Sequence, residues 1–162
     1  MLTQSELQRI WHYCPDSGRF TRLVSTSNNV KVGDIANCHD DDGYIRLKVS
    51  NKGYGAHRLV WLYMTGHFPN NQIDHINGIR NDNRWCNLRD ATNSINQQNK
   101  RAPMPGNTAG ILGVTWENCT GKWRAQIKIN SKMFTLGRFD DKQAAAECYL
   151  KRKRESHPGC TI

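Results

Sequence analysis

The chain has 162 residues, 37% of them hydrophobic, and a formal net charge of +9; its mean hydropathy is −0.75 and its pI is near 9.5. That length accommodates one medium domain or two to three small modules, none with a large core, and the absence of a long apolar run or signal-like start excludes a membrane span and argues against secretion. The basic excess, present both before and after residue 101, asks for a polyanionic partner, for which nucleic acid is the best fit.

Thr3-Gln-Ser-Glu6 has the form of a capping box, and Leu7, Ile10, Trp11 and Cys14 follow at helical spacing. They predict a short amphipathic helix ending near Pro15. Asp16-Ser17-Gly18 turns the chain into a strand from Arg19 to Val24, and Ser25–Asn29 and Asp40–Gly43 read as polar loops. The three consecutive aspartates are taken as a solvated acidic turn. From Tyr44, the residues Ile45, Leu47 and Val49 alternate with Tyr44, Arg46 and Lys48, which predicts a strand with one buried face. Asn51-Lys52-Gly53 is the expected hairpin turn, with Tyr54 to Ala56 returning. His57 to Met64 reads as a helix that buries Leu59, Val60, Leu62 and Tyr63 before Gly66 stops it.

The stretch from Ile73 to Asn99 carries the chemistry. Gln72 to His75 is short and extended, Asn77-Gly78 is a turn pair, Leu88 to Ala91 returns as a second strand, and Thr92 precedes a helix containing Asn96 and Asn99 on one face. One carboxylate (Asp74), one imidazole (His75) and amide oxygens suit phosphodiester hydrolysis. A hard cation such as Mg²⁺ or Mn²⁺, one ion per site, takes oxygen ligands and keeps waters, so Asp74 and Asn96 leave room for phosphate oxygens. A neutral His75 is then the base, with activity expected to fall below about pH 6. Asn87 holds the loop or orients His75. His57 is read as either a structural histidine or an auxiliary group near the scissile phosphate.

Lys100, Arg101 and the Pro-Met-Pro-Gly that follows Ala102 break in composition from what precedes them and predict a basic tether over 101–110. Beyond it, Gly113 to Glu117, Lys122 to Ile129 and Lys132 to Leu136 read as three strands, and Asp140-Asp141 caps a helix from about Lys142 to Glu155. In the middle strand Trp123, Ala125, Ile127 and Ile129 alternate with Lys122, Arg124, Gln126 and Lys128. The apolar side is expected to pack on Ala144, Ala145, Cys148 and Tyr149, leaving a row of donors that fits the width of a DNA major groove. The six cysteines (Cys14, Cys38, Cys86, Cys119, Cys148 and Cys160) include no Cys-x-x-Cys pair and no finger-spaced histidine partners, so free thiols are expected.

Two resemblances attach to these residues. Ala56-His57-Arg58-Leu59-Val60, Ile73-Asp74-His75-Ile76-Asn77-Gly78, Asp82-Asn83-Arg84, Asn87-Leu88-Arg89 and Asn96 together resemble the HNH endonucleases with a ββα-metal core, in the phage and homing variant that ends on asparagine. The resemblance implies Asp74 and Asn96 as metal ligands, His75 as general base and Asn87 as the middle structural asparagine. Arg58, Arg80, Arg84 and Arg89 are candidate phosphate contacts, as are Lys100 and Arg101 in the tether. The last third resembles the Apetala-two (ERF-type) DNA-binding domain through Gly113-Val114, Gly121-Lys122-Trp123, Ala125, Leu136-Gly137, Phe139, Ala144-Ala145 and Tyr149. Matching by position puts Thr115, Glu117, Arg124, Gln126, Lys128, Met133 and Thr135 on the DNA-facing side; Thr115 and Glu117 depart from the arginines usual there.

The expected fold class is α+β. It comprises an N-terminal helix and hairpin support region (1–55), an HNH nuclease core (56–100), a linker (101–110) and a small three-stranded antiparallel sheet packed on one helix (111–162). The expected function is metal-dependent cleavage of double-stranded DNA in the cytoplasm, that of a bacterial host if the protein is phage-encoded, with a monomer sufficient. A DNA-binding regulator with an inactive HNH core is the alternative, and an RNA-binding protein is a third reading.

Overall fold

The computed structural model of the chain describes residues 2–25, 27 and 29–162. Thr26 and Asn28, within the expected polar loop Ser25–Asn29, lie outside the described residues. Among the described residues the fold is mixed α/β, with four α-helices and small antiparallel sheets. It forms two compact units, Met1–Thr92 and Asn93–Ile162.

In the first unit the Thr3 capping box is present, and helix α1 runs over Gln4–Ile10. It does not continue to Pro15. Trp11 is extended, and Trp11–Cys14 is strand β1, paired antiparallel with β2, Arg19–Arg22. Leu7, Ile10, Trp11 and Cys14 satisfy a helical period, but Trp11 and Tyr13 also alternate with His12, and burial of both rings beside Phe20 decides for the strand. Strand β2 also stops two residues before the expected Val24.

Strand β3, Arg46–Val49, buries Leu47 and Val49 as the alternation requires, and pairs with β4, Lys52–Gly55. The turn between them is Ser50-Asn51, not Asn51-Lys52-Gly53: both residues have positive φ, 48° and 62°. A two-residue turn of this hand matches the twist of the flanking strands, and Gly53 is left within the ladder opposite Lys48. Helix α2, Ala56–Thr65, buries Ala56, Leu59, Val60 and Leu62, and Gly66 ends it with φ 82° and an N–H donated to the Leu62 carbonyl. Strands β5, Gln72–His75, and β6, Leu88–Ala91, pair antiparallel. Ile73 and Leu88 join the core formed by Leu7, Trp11, Tyr13, Phe20 and the buried face of α2.

The second unit begins with helix α3, Asn93–Gln98, which carries Asn96; Asn99 falls just beyond its end. Strands β7, Val114–Glu117, β8, Lys122–Ile129, and β9, Lys132–Phe139, form one antiparallel sheet in the order β7-β8-β9. The third strand is longer than expected. A bulge opposite Ala125 and Gln126 lets it run on to Phe139 and sets Arg138 opposite Arg124. Helix α4, Lys142–Ser156, is capped by Asp141, whose side chain accepts from the Ala144 N–H. Its buried face is Ala145, Ala146, Tyr149 and Lys153, packed with Val114, Ala125 and Ile127. Ala144 and Cys148 were expected on that face, but each is only half-buried, because the helix is turned to seat Ala146 instead. Within the stretch expected as a tether, Ala109 is buried in this core and Asn107 Nδ2 donates to the Ile111 carbonyl at 2.9 Å.

Candidate functional site

Strands β5 and β6 bring Asp74 directly opposite Arg89, and His75 opposite Leu88. Cross-strand partners of opposite charge lie within reach of each other. Arg89 Nε and Nη2 both donate to Asp74 Oδ2, at 2.9 and 2.7 Å. Asp74, His75 and Asn87 are each 5% exposed and Asn83 is 1% exposed, so this is a buried polar cluster that needs internal partners.

The loop from Ile76 to Asn87 supplies them. The Asn77 N–H donates to Asn87 Oδ1 at 2.9 Å, Asn87 Nδ2 donates to the Asp82 carbonyl at 2.7 Å, and the Ile76 N–H donates to the Asn87 carbonyl at 2.9 Å. Asn87 thus braces the two ends of the loop against each other. Asn77 Nδ2 and the Arg84 guanidinium both donate to Asp82, and Arg84 above all holds that carboxyl down to about 2.

The side chain that meets His75 is Asn83, with Oδ1 3.3 Å from His75 Nε2. Asn83 Nδ2 points to the Asn81 carbonyl at 3.4 Å, which turns Oδ1 towards the ring. An amide oxygen only accepts, so Nε2 carries the proton and the basic nitrogen of the neutral ring is Nδ1. Burial lowers the His75 pKa, partly offset by the Asn83 hydrogen bond and the Asp74 charge. The ring is unprotonated at neutral pH.

The N-terminal hairpin supports this loop from behind. Tyr13 Oη donates to the Asn83 carbonyl at 2.8 Å, and the Trp85 N–H donates to the Pro15 carbonyl at 3.1 Å. At Gly18 (φ 72°) a Cβ would lie 2.5 Å from the Arg84 nitrogen, so the β1–β2 turn touches the loop backbone directly. On the other side, the His57 and Tyr44 rings pack against His75 at centroid distances of 5.5 and 5.7 Å. His57 Nδ1 is buried without a hydrogen-bond partner, and burial first, then the neighbouring His75, lower its pKa to about 4. A Cβ at Gly55 would stand 2.8 Å from His57 Cε1, so that ring needs the glycine before the helix.

The arginines expected at phosphates have protein partners. Arg80 pairs with Asp42 at 3.2 Å and lies over the Tyr44 ring, Arg84 holds Asp82, and Arg89 holds Asp74. Arg58 lies over Phe68, lining a cleft with Tyr54 and Lys52. In the second unit the Lys100 carbonyl accepts from Lys153, and Arg101 donates to Thr161. On the sheet, Gln126 pairs with Thr135 and Lys128 with Met133. Arg124 Nη1 donates to Glu117 at 3.1 Å, and Arg138 donates to the same carboxylate. Arg138 and Asn83 were not singled out in the sequence. The only signal for Asn83 is its place in the Asp82-Asn83-Arg84 triplet.

Among the described residues no three His, Cys, Asp or Glu side chains gather as a metal cluster. Of the two expected ligands, Asp74 is on β5 and Asn96 is on α3 of the second unit; a carboxylate and an amide oxygen are hard donors, the kind that suits a cation which retains water and takes substrate oxygens. No helix among the described residues is long and apolar enough to cross a membrane.

Comparison with known proteins agrees with this geometry over part of the chain. No curated protein and no solved structure matches. Residues 54–98 match the family model of the HNH endonucleases, a span that holds His57, Asp74, His75, Asn83, Asn87 and Asn96, and this similarity supports a nuclease of the HNH kind.

Proposed function

We propose that the protein is a metal-dependent endonuclease of the HNH kind that hydrolyses phosphodiester bonds in double-stranded DNA. The observation that carries this reading is the buried, neutral His75 beside Asp74, with its Nε2 held by Asn83. His75 Nδ1 takes a proton from a water whose oxygen forms the new bond to phosphorus while the ester P–O bond breaks. Asn83 fixes the tautomer and the aim of the ring. Asn87 holds the loop that carries Asn83, and so acts on His75 at one remove. A divalent cation held by Asp74 and Asn96 would offset the charge developing on the phosphate and the leaving oxygen.

The C-terminal sheet is proposed to hold the DNA, using Arg124, Gln126, Lys128, Thr135 and Arg138. The face on which these residues lie, and the Apetala-two resemblance of its residues, support that assignment. Arg58, Arg80, Arg84, Lys100 and Arg101 are proposed to add phosphate contacts, those already in ion pairs exchanging a carboxylate for a phosphate. A phage or homing role follows from the resemblance of the motif. The test is incubation of the protein with duplex DNA in Mg²⁺ or Mn²⁺, then in EDTA, with the ends mapped. Metal-dependent cuts support the proposal, and a DNA-binding regulator with an inactive core gives none.

A further inference from the structure

Helix α3 is too short to stand alone. It has six residues and buries none of them, and isolated helices below about 12 residues are marginal in water. Yet it carries Asn96. Within the second unit its C-terminal end is held from residues about sixty positions later. The Gly159 N–H donates to Gln98 Oε1 at 3.0 Å, and a Cβ at Gly159 would lie 2.5 Å from the Ile95 carbonyl oxygen. Thr161 Oγ1 donates to Asn99 Oδ1 and accepts from Arg101 Nη2 at 2.8 Å. Lys153, on α4, is 2% exposed, and its Nζ donates to the Lys100 carbonyl at 2.6 Å.

A buried ammonium is costly unless paired, so this lysine is committed to that carbonyl and fixes where the chain leaves α3. The same α4 packs through Ala145, Ala146 and Tyr149 against the apolar side of the sheet. One helix therefore backs the basic sheet and anchors the segment bearing the amide.

We infer that Lys153 and Thr161 are positioning residues for Asn96: α4 and residues 157–161 strap α3 in place, so that the segment bearing this amide keeps its conformation only when the C-terminal sheet unit is folded. This rests on the reading of Asn96 as a metal ligand. DNA binding and metal binding then depend on one packed unit rather than on two modules joined by a passive tether. A protein that has not folded its sheet leaves α3 and its Asn96 without these supports.

The test uses the full chain carrying Lys153→Met, which keeps the buried volume without the charge, or Thr161→Val, with Lys151→Met as a control for charge lost on the exposed side of α4. Three quantities are read: hydrogen exchange over residues 93–99, the Mg²⁺ concentration for half-maximal cleavage at saturating duplex, and the duplex Kd. In Lys153→Met, amides 93–99 lose about 10-fold in protection while those of the sheet keep theirs. Half-saturating Mg²⁺ rises about 10-fold, the usual scale for an indirect support of a metal ligand, and excess Mg²⁺ restores the rate. The Kd stays within about 2-fold, as in the control. Thr161→Val moves the same readings less. Unchanged protection in both variants overturns the strap. Lost protection with wild-type Mg²⁺ dependence overturns its link to the site and places the error in the role given to Asn96. If wild type cuts under no metal, the nuclease reading fails with that link, and the exchange data alone judge the strap.

Discussion

Asn83 Oδ1 faces His75 Nε2 at 3.3 Å, from a residue that is 1% exposed and whose own carbonyl accepts from Tyr13. The amide oxygen can only accept a hydrogen bond there, so one asparagine assigns which nitrogen of His75 is basic. Asn83→Ala removes the acceptor without disturbing the Tyr13 hydrogen bond, which goes to the backbone. Single-turnover cleavage is expected to fall roughly 10- to 100-fold, the scale of a misaimed catalytic group, with duplex affinity unchanged. Cleavage at the wild-type rate would show that the ring is oriented by something else.

Arg89 and Asp74 make the second relationship that bears on function. Arg89→Ala takes the guanidinium away from a carboxylate side chain that is 6% exposed, while the Arg89 side chain itself is 27% exposed. Loss on the order of 2 kcal/mol in metal-free buffer follows from removing one member of a buried ion pair. Added Mg²⁺ should recover more stability in this variant than in wild type, since a cation replaces the lost guanidinium. Equal Mg²⁺ effects on the two melting temperatures would count against Asp74 as a ligand.

His57 makes stability depend on pH. Its folded pKa is about 4 against an ordinary 6.5, chiefly through burial. The unfolded ring takes up a proton below 6.5 and the folded ring does not, so its contribution is complete above 6.5 and is lost as pH falls towards 4. Full loss is on the order of 3 kcal/mol. Urea unfolding of wild type should show this decline, and His57→Phe should flatten it. An equally steep decline in the variant would remove His57 as its source.

Much of this was legible in the sequence, and the limits have physical causes. The alternation through Leu47 and Val49, the Thr3 capping box and the β5–β6 pair were readable because each depends on neighbours close in the chain. Trp11–Cys14 was misread as helix because four apolar residues satisfied the helical period, and only the packing of Tyr13 on Phe20 chooses the strand. The basic nitrogen of His75 was not readable, because Asn83 reaches the ring only after Asn87 has closed the loop. Lys153 carries no signal in the sequence, because its burial appears only once residue 100 is placed beside it.

Glu117 restrains the sheet. It accepts from both Arg124 and Arg138, and the hydrogen bonds from Arg138 and then Thr120, with the charges of the two arginines, hold its carboxyl down to about 2. Glu117→Gln releases the two guanidinium groups for phosphate. Duplex affinity at low salt should rise, and the slope of log Kobs against log salt should steepen by about 1. An unchanged slope would mean that these arginines do not meet DNA.

The central claim is that His75 is the base. One time course of cleavage and one gel shift, for wild type and His75→Ala on the same duplex in Mg²⁺, test it directly. Binding is expected to stay nearly unchanged while cleavage falls by roughly 100-fold or more, the usual size of a general-base contribution. His75→Ala cutting as fast as wild type would contradict the account.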